Sequence, residues 1–296
     1  MRELRPVFVG DVQGCADELD ELLARAESRF GAGFALFSVG DVVNRGPDNL
    51  RALRRVRELV EAGRGQMILG NHELHLLRAA AGQRPVAPLD SIGDVLAAPD
   101  ADDWIDWLRR RPLAVTGKMG GQRFAMVHAS LHPDWELAEL EERAAGVERR
   151  LGGGGRAEAE AFLAGDPRDD PDLDTLLRVT SCRSTTPDGA WRSEPPGPGT
   201  RAWHEEWAKR KHRYGVVYGH WSLQGLHVAD GLRGLDTGCV HHGRGRDGFL
   251  TAWLPEPEEE SPFSLPDHGF WQVPARRAYY ARRDAAEEDR RGEESD

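Results

Sequence analysis

An α/β fold assembled from repeated β-α-β units is what this 296-residue chain predicts, on three observations. Apolar runs at Leu4 to Val9, Phe34 to Val39 and Gln66 to Leu69 each end in a glycine and a polar residue. The junctions read Gly10-Asp11-Val12-Gln13-Gly14, Gly40-Asp41-Val42-Val43-Asn44-Arg45-Gly46 and Gly70-Asn71-His72-Glu73, and each opens into a segment with helical periodicity. The spacing repeats, 30 residues from Asp11 to Asp41 and 30 from Asp41 to Asn71, one β-α-β step each time. Parallel strands set their C-terminal ends along one edge, where open α/β sheets bind ligands, so two carboxylates and an amide meet there. Asp is also a common helix N-cap, and one such junction would say little. Three in series, all oxygen donors, suggest a divalent metal site.

Leu4 to Val9 is therefore the first strand, and Asp17 to Phe30 an amphipathic helix with Leu19, Leu22, Leu23 and Ala26 on one face. Phe34 to Val39 is the second strand. Asp48 to Val60 repeats the helical pattern, with its leucines and valines inward and Arg51, Arg54, Arg55 and Arg57 forming a solvated face. Gln66 to Leu69 is the third strand and Glu73 to Ala81 a short helix. Gly82 to Asp103, rich in Pro and Ala, breaks the rhythm as an excursion. A helix carrying Trp104, Ile105, Trp107 and Leu108 follows, then strands Leu113 to Thr116 and Arg123 to Val127 joined by a Lys-Met-Gly-Gly turn.

From His132 to about Tyr214 the pattern loosens into an acidic helix at Trp135 to Arg150, a glycine run at 152–155 and a Pro/Gly loop at Glu194 to Gly199. This stretch reads as a lid with mobile links, and Trp203 to Arg213 as a lid helix burying its tryptophans. Val216 to Tyr218 is a further strand ending at Gly219-His220-Trp221. Leu232 to Leu235, Phe249 to Leu254 and Phe270 to Val273 read as antiparallel strands. Beyond Pro274 the chain is almost wholly charged, and residues 275–296 read as a tail. The expected division is a catalytic domain at 1–274, with lid segments at about 82–110 and 132–214, followed by that tail.

A net charge of −11 argues against a general nucleic-acid or membrane-surface binder. An anionic substrate would then need local positive charge from metals and arginines. No signal-peptide pattern opens the chain and no apolar stretch reaches about 18 residues. Cys15, Cys182 and Cys239 are odd in number and lack metal-type spacing, which fits a reducing compartment. Cytoplasm, with no membrane contact and no stable protein partner legible, is the expectation.

Two more strands end in histidine, at His128 and His220, on the same architectural edge. With Asp11, Asp41 and Asn71 they make a plausible ligand set for two metals, and Asp41, central in order, is the natural bridging carboxylate. The series also includes Val127-His128-Ala129 and Tyr218-Gly219-His220-Trp221, and in full it resembles the calcineurin-like metallophosphoesterases. Within them it is similar to the symmetrical bis(5'-nucleosyl)-tetraphosphatases, which share Asn71 to Leu77, Ala98 to Asp102, Thr186 to Gly189 and Leu235 to Cys239. The resemblance spans about residues 7 to 255.

The resemblance implies a four-layer α-β-β-α sandwich with a mostly helical lid insertion. It implies two divalent metal ions, manganese first, with cobalt, iron, zinc or magnesium as alternatives. Asp11 and Gln13 would serve the first metal, Asp41 would bridge, and Asn71, His128 and His220 would hold the second. A bridging hydroxide would attack in line. His72 would act as general acid, and Arg45 and Arg183 would neutralise phosphate oxygens, as planar guanidinium groups do well. Two positions depart from the wider superfamily. Gln13 stands where most members have a histidine, which implies looser metal at the first site. Asn44 stands where the protein phosphatases have an aspartate that orients the catalytic histidine. The implied reaction is hydrolysis of diadenosine tetraphosphate to two nucleoside diphosphates. The rivals are a phosphoprotein phosphatase of the same fold, removal of tetraphosphate caps from RNA 5' ends, and a non-catalytic metal-stabilised binding module.

Overall fold

A computed structural model describes residues 4–256 and 258–279. The three opening β-α-β steps form as expected. β1 (Arg5–Val9), β2 (Phe34–Ser38) and β3 (Gly65–Met67) are parallel neighbours, paired Val7 to Leu36 and Phe37 to Gln66. They are connected by α1 (Ala16–Phe30) and α2 (Asn49–Glu61). Gly31, at φ +59°, stops α1 in the left-handed region that glycine tolerates, and Asp48 caps α2 by accepting from Arg51 N at 3.2 Å. α3 (Asn71–Ala80) begins two residues before the expected Glu73, so Asn71 is itself the first helical residue.

The excursion carries one helical turn, α4 (Gly93–Leu96), before α5 (Ala101–Arg109). β4 (Val115–Met119) and β5 (Gln122–Met126) form a hairpin, but its turn is Gly120-Gly121, and Lys118 and Met119 lie in the strand. The lid region holds α6 (Leu137–Glu148), which unwinds into a wide turn at Arg149–Gly153, then α7 (Arg156–Leu163) and α8 (Pro171–Ser181). α8 was not legible as a helix, although Asp170 caps it and Pro171 occupies its first turn. β6 (Ser184–Thr185), β7 (Trp191–Arg192) and β8 (Arg201–Ala202) form a small antiparallel sheet, followed by α9 (Trp203–Ala208), shorter than the expected 203–213.

β9 (Tyr214–Tyr218), β10 (His227–Ala229) and β11 (Leu232–Gly234) come next, then β12 (Phe249–Trp253) and β13 (Phe270–Pro274). β12 and β13 are antiparallel as expected, whereas β11 runs parallel to β9 in the other sheet. Its alternating side chains suit either direction, so pattern alone could not decide. The first part of the expected tail, Ala275 to Tyr279, packs back on α1, with Arg276 N donating to Glu18 Oε1 at 2.7 Å. Residues 280–296 of that tail lie outside the described residues.

Among the described residues the strands make two five-stranded sheets, ordered β13-β12-β1-β2-β3 and β10-β11-β9-β5-β4. Strand alternation divides the core. Phe8, Phe124, Met126, Val217 and Trp253 turn into the space between the sheets, where Phe8 stacks on Phe37 (4.9 Å between centroids) and meets Phe124 edge-on (5.6 Å). Their strand neighbours Val7, Val9, Ala125 and Val216 turn the other way and join the helices. The result is helix, sheet, sheet, helix. No helix among the described residues is long and apolar enough to cross a membrane.

Candidate metal centre

Five strand ends reach one rim: Asp11 after β1, Asp41 after β2, Asn71 after β3, His128 after β5 and His220 after β9. The backbone there is strained. Six non-glycine residues among those described have positive φ, and five are at this rim: Gln13 (+48°), Asp41 (+50°), Asn44 (+80°), Arg45 (+69°) and His220 (+69°). Such conformations cost of order 1–3 kcal/mol each and persist where the surroundings over-determine them. The packing is also too close for side chains at two glycines. A Cβ on Gly219 would lie 2.0 Å from Asp11 Oδ1, and one on Gly70 would lie 2.2 Å from Asp41 Oδ1.

Glu73 does much of the holding. Its buried carboxylate accepts from Gly70 N (2.9 Å) and Asp41 N (2.8 Å) on one oxygen, and from Val42 N (2.9 Å) and Val43 N (3.3 Å) on the other. Burial and the nearby Asp41 charge push its pKa up to about 7, against the pull of the His128 charge and of the Gly70 and Asp41 N–H groups. The sequence carried this signal as a glutamate at the third position of a helix, half of a capping box.

Each of the two histidines is tied to a backbone carbonyl by one ring nitrogen. His128 Nδ1–H donates to the Val39 carbonyl (2.8 Å), which turns Nε2 toward Asn71 Oδ1 at 3.1 Å and Asp41 Oδ1 at 3.4 Å; against burial, the Asp41 charge raises the ring's pKa and favours a proton on Nε2 that a cation would displace. His220 Nε2–H donates to the Ser181 carbonyl (3.1 Å), which leaves Nδ1 as a lone pair 2.8 Å from Asn71 Oδ1. Burial, then the Arg183 charge, holds His220 well below its ordinary pKa and hence neutral. The His220 Nδ1 lone pair and the Asn71 amide oxygen therefore face each other with no hydrogen between them, His128 Nε2 converges on the same point, and a cation satisfies that arrangement. Ligand atoms of Asp41, His128 and His220 lie within 4.8 Å of one another.

On the other side, both Asp11 oxygens face His220 N at 3.1 Å. Gln13 Oε1 is buried without a hydrogen-bond partner among the described residues, a state that costs about 1–3 kcal/mol unless something binds there. Burial, then the Asp236 and Asp41 charges, raises the Asp11 pKa well above the carboxylate range. Burial likewise pushes Asp236 up to about 6. Asp41, although buried, is held below the ordinary range by His128 and His72. A crowd of buried carboxylates, an orphaned amide oxygen and facing lone pairs is a donor set that fits divalent cations.

His72 stands beside this set, its Nε2 3.7 Å from Asp41 Oδ2 and its backbone N–H on Asp41 Oδ1 at 2.9 Å. Asn44 Nδ2 lies 2.8 Å from His72 Nδ1, so the departure from aspartate at position 44 keeps contact with the ring. Burial lowers the His72 pKa to about 4. Arg45 and Arg183 join His72, Gln13, Asp41, Asn71 and His220 around a cavity of about 250 Å³. Arg183 is anchored through Nη1 on the Ser193 carbonyl (2.8 Å). Every sequence-predicted site residue thus borders the rim. Asp236, His241 and Arg244 also line the cavity and were not singled out as site residues.

Two lid tryptophans, Trp191 and Trp203, do not line this cavity. Trp203 is fully buried, edge-on to Tyr218 at 5.0 Å, and Trp191 is tied through Nε1 to Asp174 at 2.8 Å.

Residues 4–151 match the family model for calcineurin-like phosphoesterases. A relative from Ralstonia nicotianae named symmetrical bis(5'-nucleosyl)-tetraphosphatase is 40% identical, covering 81% of this chain and 87% of its own. One of the same name from Burkholderia thailandensis is 38% identical, covering 79% and 86%. Among solved structures, one described as a candidate diadenosine tetraphosphatase superposes with a TM-score of 0.58 at 22% identity, covering 92% of this chain and 93% of that one. A serine/threonine phosphatase from Saccharomyces cerevisiae gives 0.50 at 12% identity, covering 95% and 82%.

Proposed function

This chain belongs to the calcineurin-like phosphoesterases, and on that footing we propose that it is a metal-dependent hydrolase cleaving dinucleoside tetraphosphates symmetrically to two nucleoside diphosphates. The observation that carries the reading is the convergence of Asn71 Oδ1, His128 Nε2 and His220 Nδ1, closed on one side by Asp41 and continued by Asp11 and the orphaned Gln13 oxygen. Asp11 and Gln13 would hold one divalent ion, Asn71, His128 and His220 a second, and Asp41 both. When bound, such ions supply an acidic water at neutral pH and neutralise phosphoryl oxygens. Manganese is the ion proposed.

Around them the chain's own groups divide the work. Arg45 and Arg183 grip non-bridging oxygens of the bridge. Asn44 donates to His72 Nδ1, so the hydrogen of the neutral ring sits on Nε2, turned toward Asp41 and the cavity. From there it donates to the departing oxygen. A phosphate leaving group has a second pKa of about 6 and departs readily as an anion. An alkoxide leaving from phosphoserine needs a full proton from an imidazolium. Asn44 in place of aspartate supports the neutral ring, and so the anhydride over the phosphoprotein. An RNA 5' end carrying the same tetraphosphate bridge presents the same bond and falls within the proposal. Segments 82–110 and 132–214 are read as cover over the site.

Product analysis tests this directly. Manganese-loaded protein with diadenosine tetraphosphate should give ADP alone. Release of AMP and ATP, or faster turnover of a phosphoserine peptide, would overturn it.

A further inference from the structure

Asn44 is completely buried and fully committed. Its backbone N–H donates to Asn49 Oδ1 (2.6 Å), and its Oδ1 accepts from Arg45 N (2.8 Å) and Ser91 N (2.9 Å). The two hydrogens on Nδ2 point to different acceptors, His72 Nδ1 at 2.8 Å and Asp90 Oδ1 at 2.9 Å. Asp90 comes from the excursion between α3 and α4, and its carboxylate is wholly shielded from solvent. Its other oxygen accepts from Arg84 Nη1 (2.7 Å) and Ala87 N (2.9 Å), while Arg45 Nη1 stands 4.0 Å from Oδ1. A buried, charged acceptor with this many donors is a rigid anchor.

We propose that Asp90 is a positioning residue for His72, acting through Asn44, as a carboxylate-to-amide-to-imidazole chain built in place of a direct aspartate-histidine pair. If the Asn44 amide turned over, Oδ1 would face the Asp90 carboxylate, two acceptors in contact, and would also lose both backbone donors. Asp90 therefore acts with Arg45 N and Ser91 N to fix which end of the amide meets His72. That end decides which ring nitrogen carries the hydrogen turned into the cavity. With asparagine at position 90 its NH₂ can donate to a turned Asn44 amide, whose own NH₂ would then face the backbone N–H groups; the balance between the two orientations narrows, and where oxygen meets Nδ1 the hydrogen leaves Nε2. The excursion is thus part of the site, and Asp90 also steadies Arg45 on the phosphate side. The inference rests on the reading of His72 as the donor to the leaving oxygen.

The experiment compares Asp90→Asn, Asn44→Asp and the exchange double variant Asn44→Asp/Asp90→Asn in the full manganese-loaded chain, with kcat and KM on diadenosine tetraphosphate. Asp90→Asn should lower kcat by about 10–100-fold, the range typical of groups that orient others at a metal site, with KM within about threefold. Asn44→Asp alone sets two buried carboxylates together and should lose more. The exchange returns one carboxylate and one amide, now with the carboxylate on the ring, and should recover kcat to within about tenfold of wild type. Losses that multiply in the double variant, or a wild-type kcat for Asp90→Asn, overturn the inference.

Imidazole ¹⁵N shifts read the same point without turnover. Wild type should show His72 with hydrogen on Nε2, and Asp90→Asn a mixture of tautomers. An unchanged tautomer contradicts the role of Asp90 even if the tetraphosphate is not the substrate. A shifted tautomer in a protein inactive on tetraphosphate would instead uphold Asp90 and refute the substrate.

Discussion

Replacing Glu73 by glutamine tests the claim that one buried carboxylate holds the metal-bearing loops in shape. Each Glu73 oxygen serves two backbone donors, Gly70 N and Asp41 N on one, Val42 N and Val43 N on the other. Glutamine has a single acceptor oxygen, so in either orientation its NH₂ faces two N–H groups. Two bonds to a charged acceptor are lost. At about 1.5–3 kcal/mol each the bonds lost cost about 3–6 kcal/mol; relief of the buried charge, which holds the Glu73 pKa up at about 7, returns part of this and leaves a net loss of about 1–3 kcal/mol, a fall in Tm of roughly 2–12 °C. The loop bearing Asp41, at φ +50°, loses its restraint, and manganese affinity should fall at least about tenfold. Thermal unfolding of the metal-free protein and manganese titration, both at pH 8 where Glu73 is ionised, give the two numbers. A variant within about 1 kcal/mol of wild type, or one with unchanged manganese affinity, refutes the reasoning.

Gln13→His exchanges an amide oxygen for an imidazole and should tighten metal binding at the first site; superimposable titration curves would show that Gln13 does not face the ion. Manganese affinity should rise between about pH 5 and 7. The metal-free protein holds protons on Asp11, whose pKa is raised, and on Asp236, at about 6, and a cation must displace them, so removing protons by raising pH favours binding. Calorimetry in two buffers of different ionisation enthalpy should register the released protons, and a flat profile contradicts the prediction. Phe8→Ala empties the space between the sheets where Phe37, Phe124 and Trp253 meet, and should cost about 3–5 kcal/mol in urea unfolding. A loss below about 1 kcal/mol would mean that the sheets do not pack through this residue.

Much of this was legible because the chemistry is carried by local pattern. Asp11, Asp41 and Asn71 announce themselves as polar residues at the ends of apolar runs with a constant step, and parallel strands then bring them to one rim without further information. His128 and His220 follow from the same logic, although their strands lie in the second sheet. The second sheet was harder. β11 carries Arg233, completely buried and satisfied by Asp267 and the carbonyls of Pro262 and Ser264, which no alternation of apolar and polar residues reveals. α8 was obscured because an Asp/Pro-rich stretch that reads as loop runs into its first turn. Asp90 and Glu73 went unassigned for a related reason. Apart from the local cap on Gly70 N, Glu73 acts on groups 30 to 32 residues away and Asp90 on Asn44, 46 residues away, and those partners exist only once the chain has folded.

On this reading the rim side chains gather around two cations. Anomalous diffraction at the manganese edge, from crystals grown with that ion, tests it most directly. The account predicts two peaks, one among Asn71 Oδ1, His128 Nε2 and His220 Nδ1, the other beside Asp11 and Gln13, with Asp41 between them. No peak at the rim, or manganese bound only elsewhere on the chain, would contradict it.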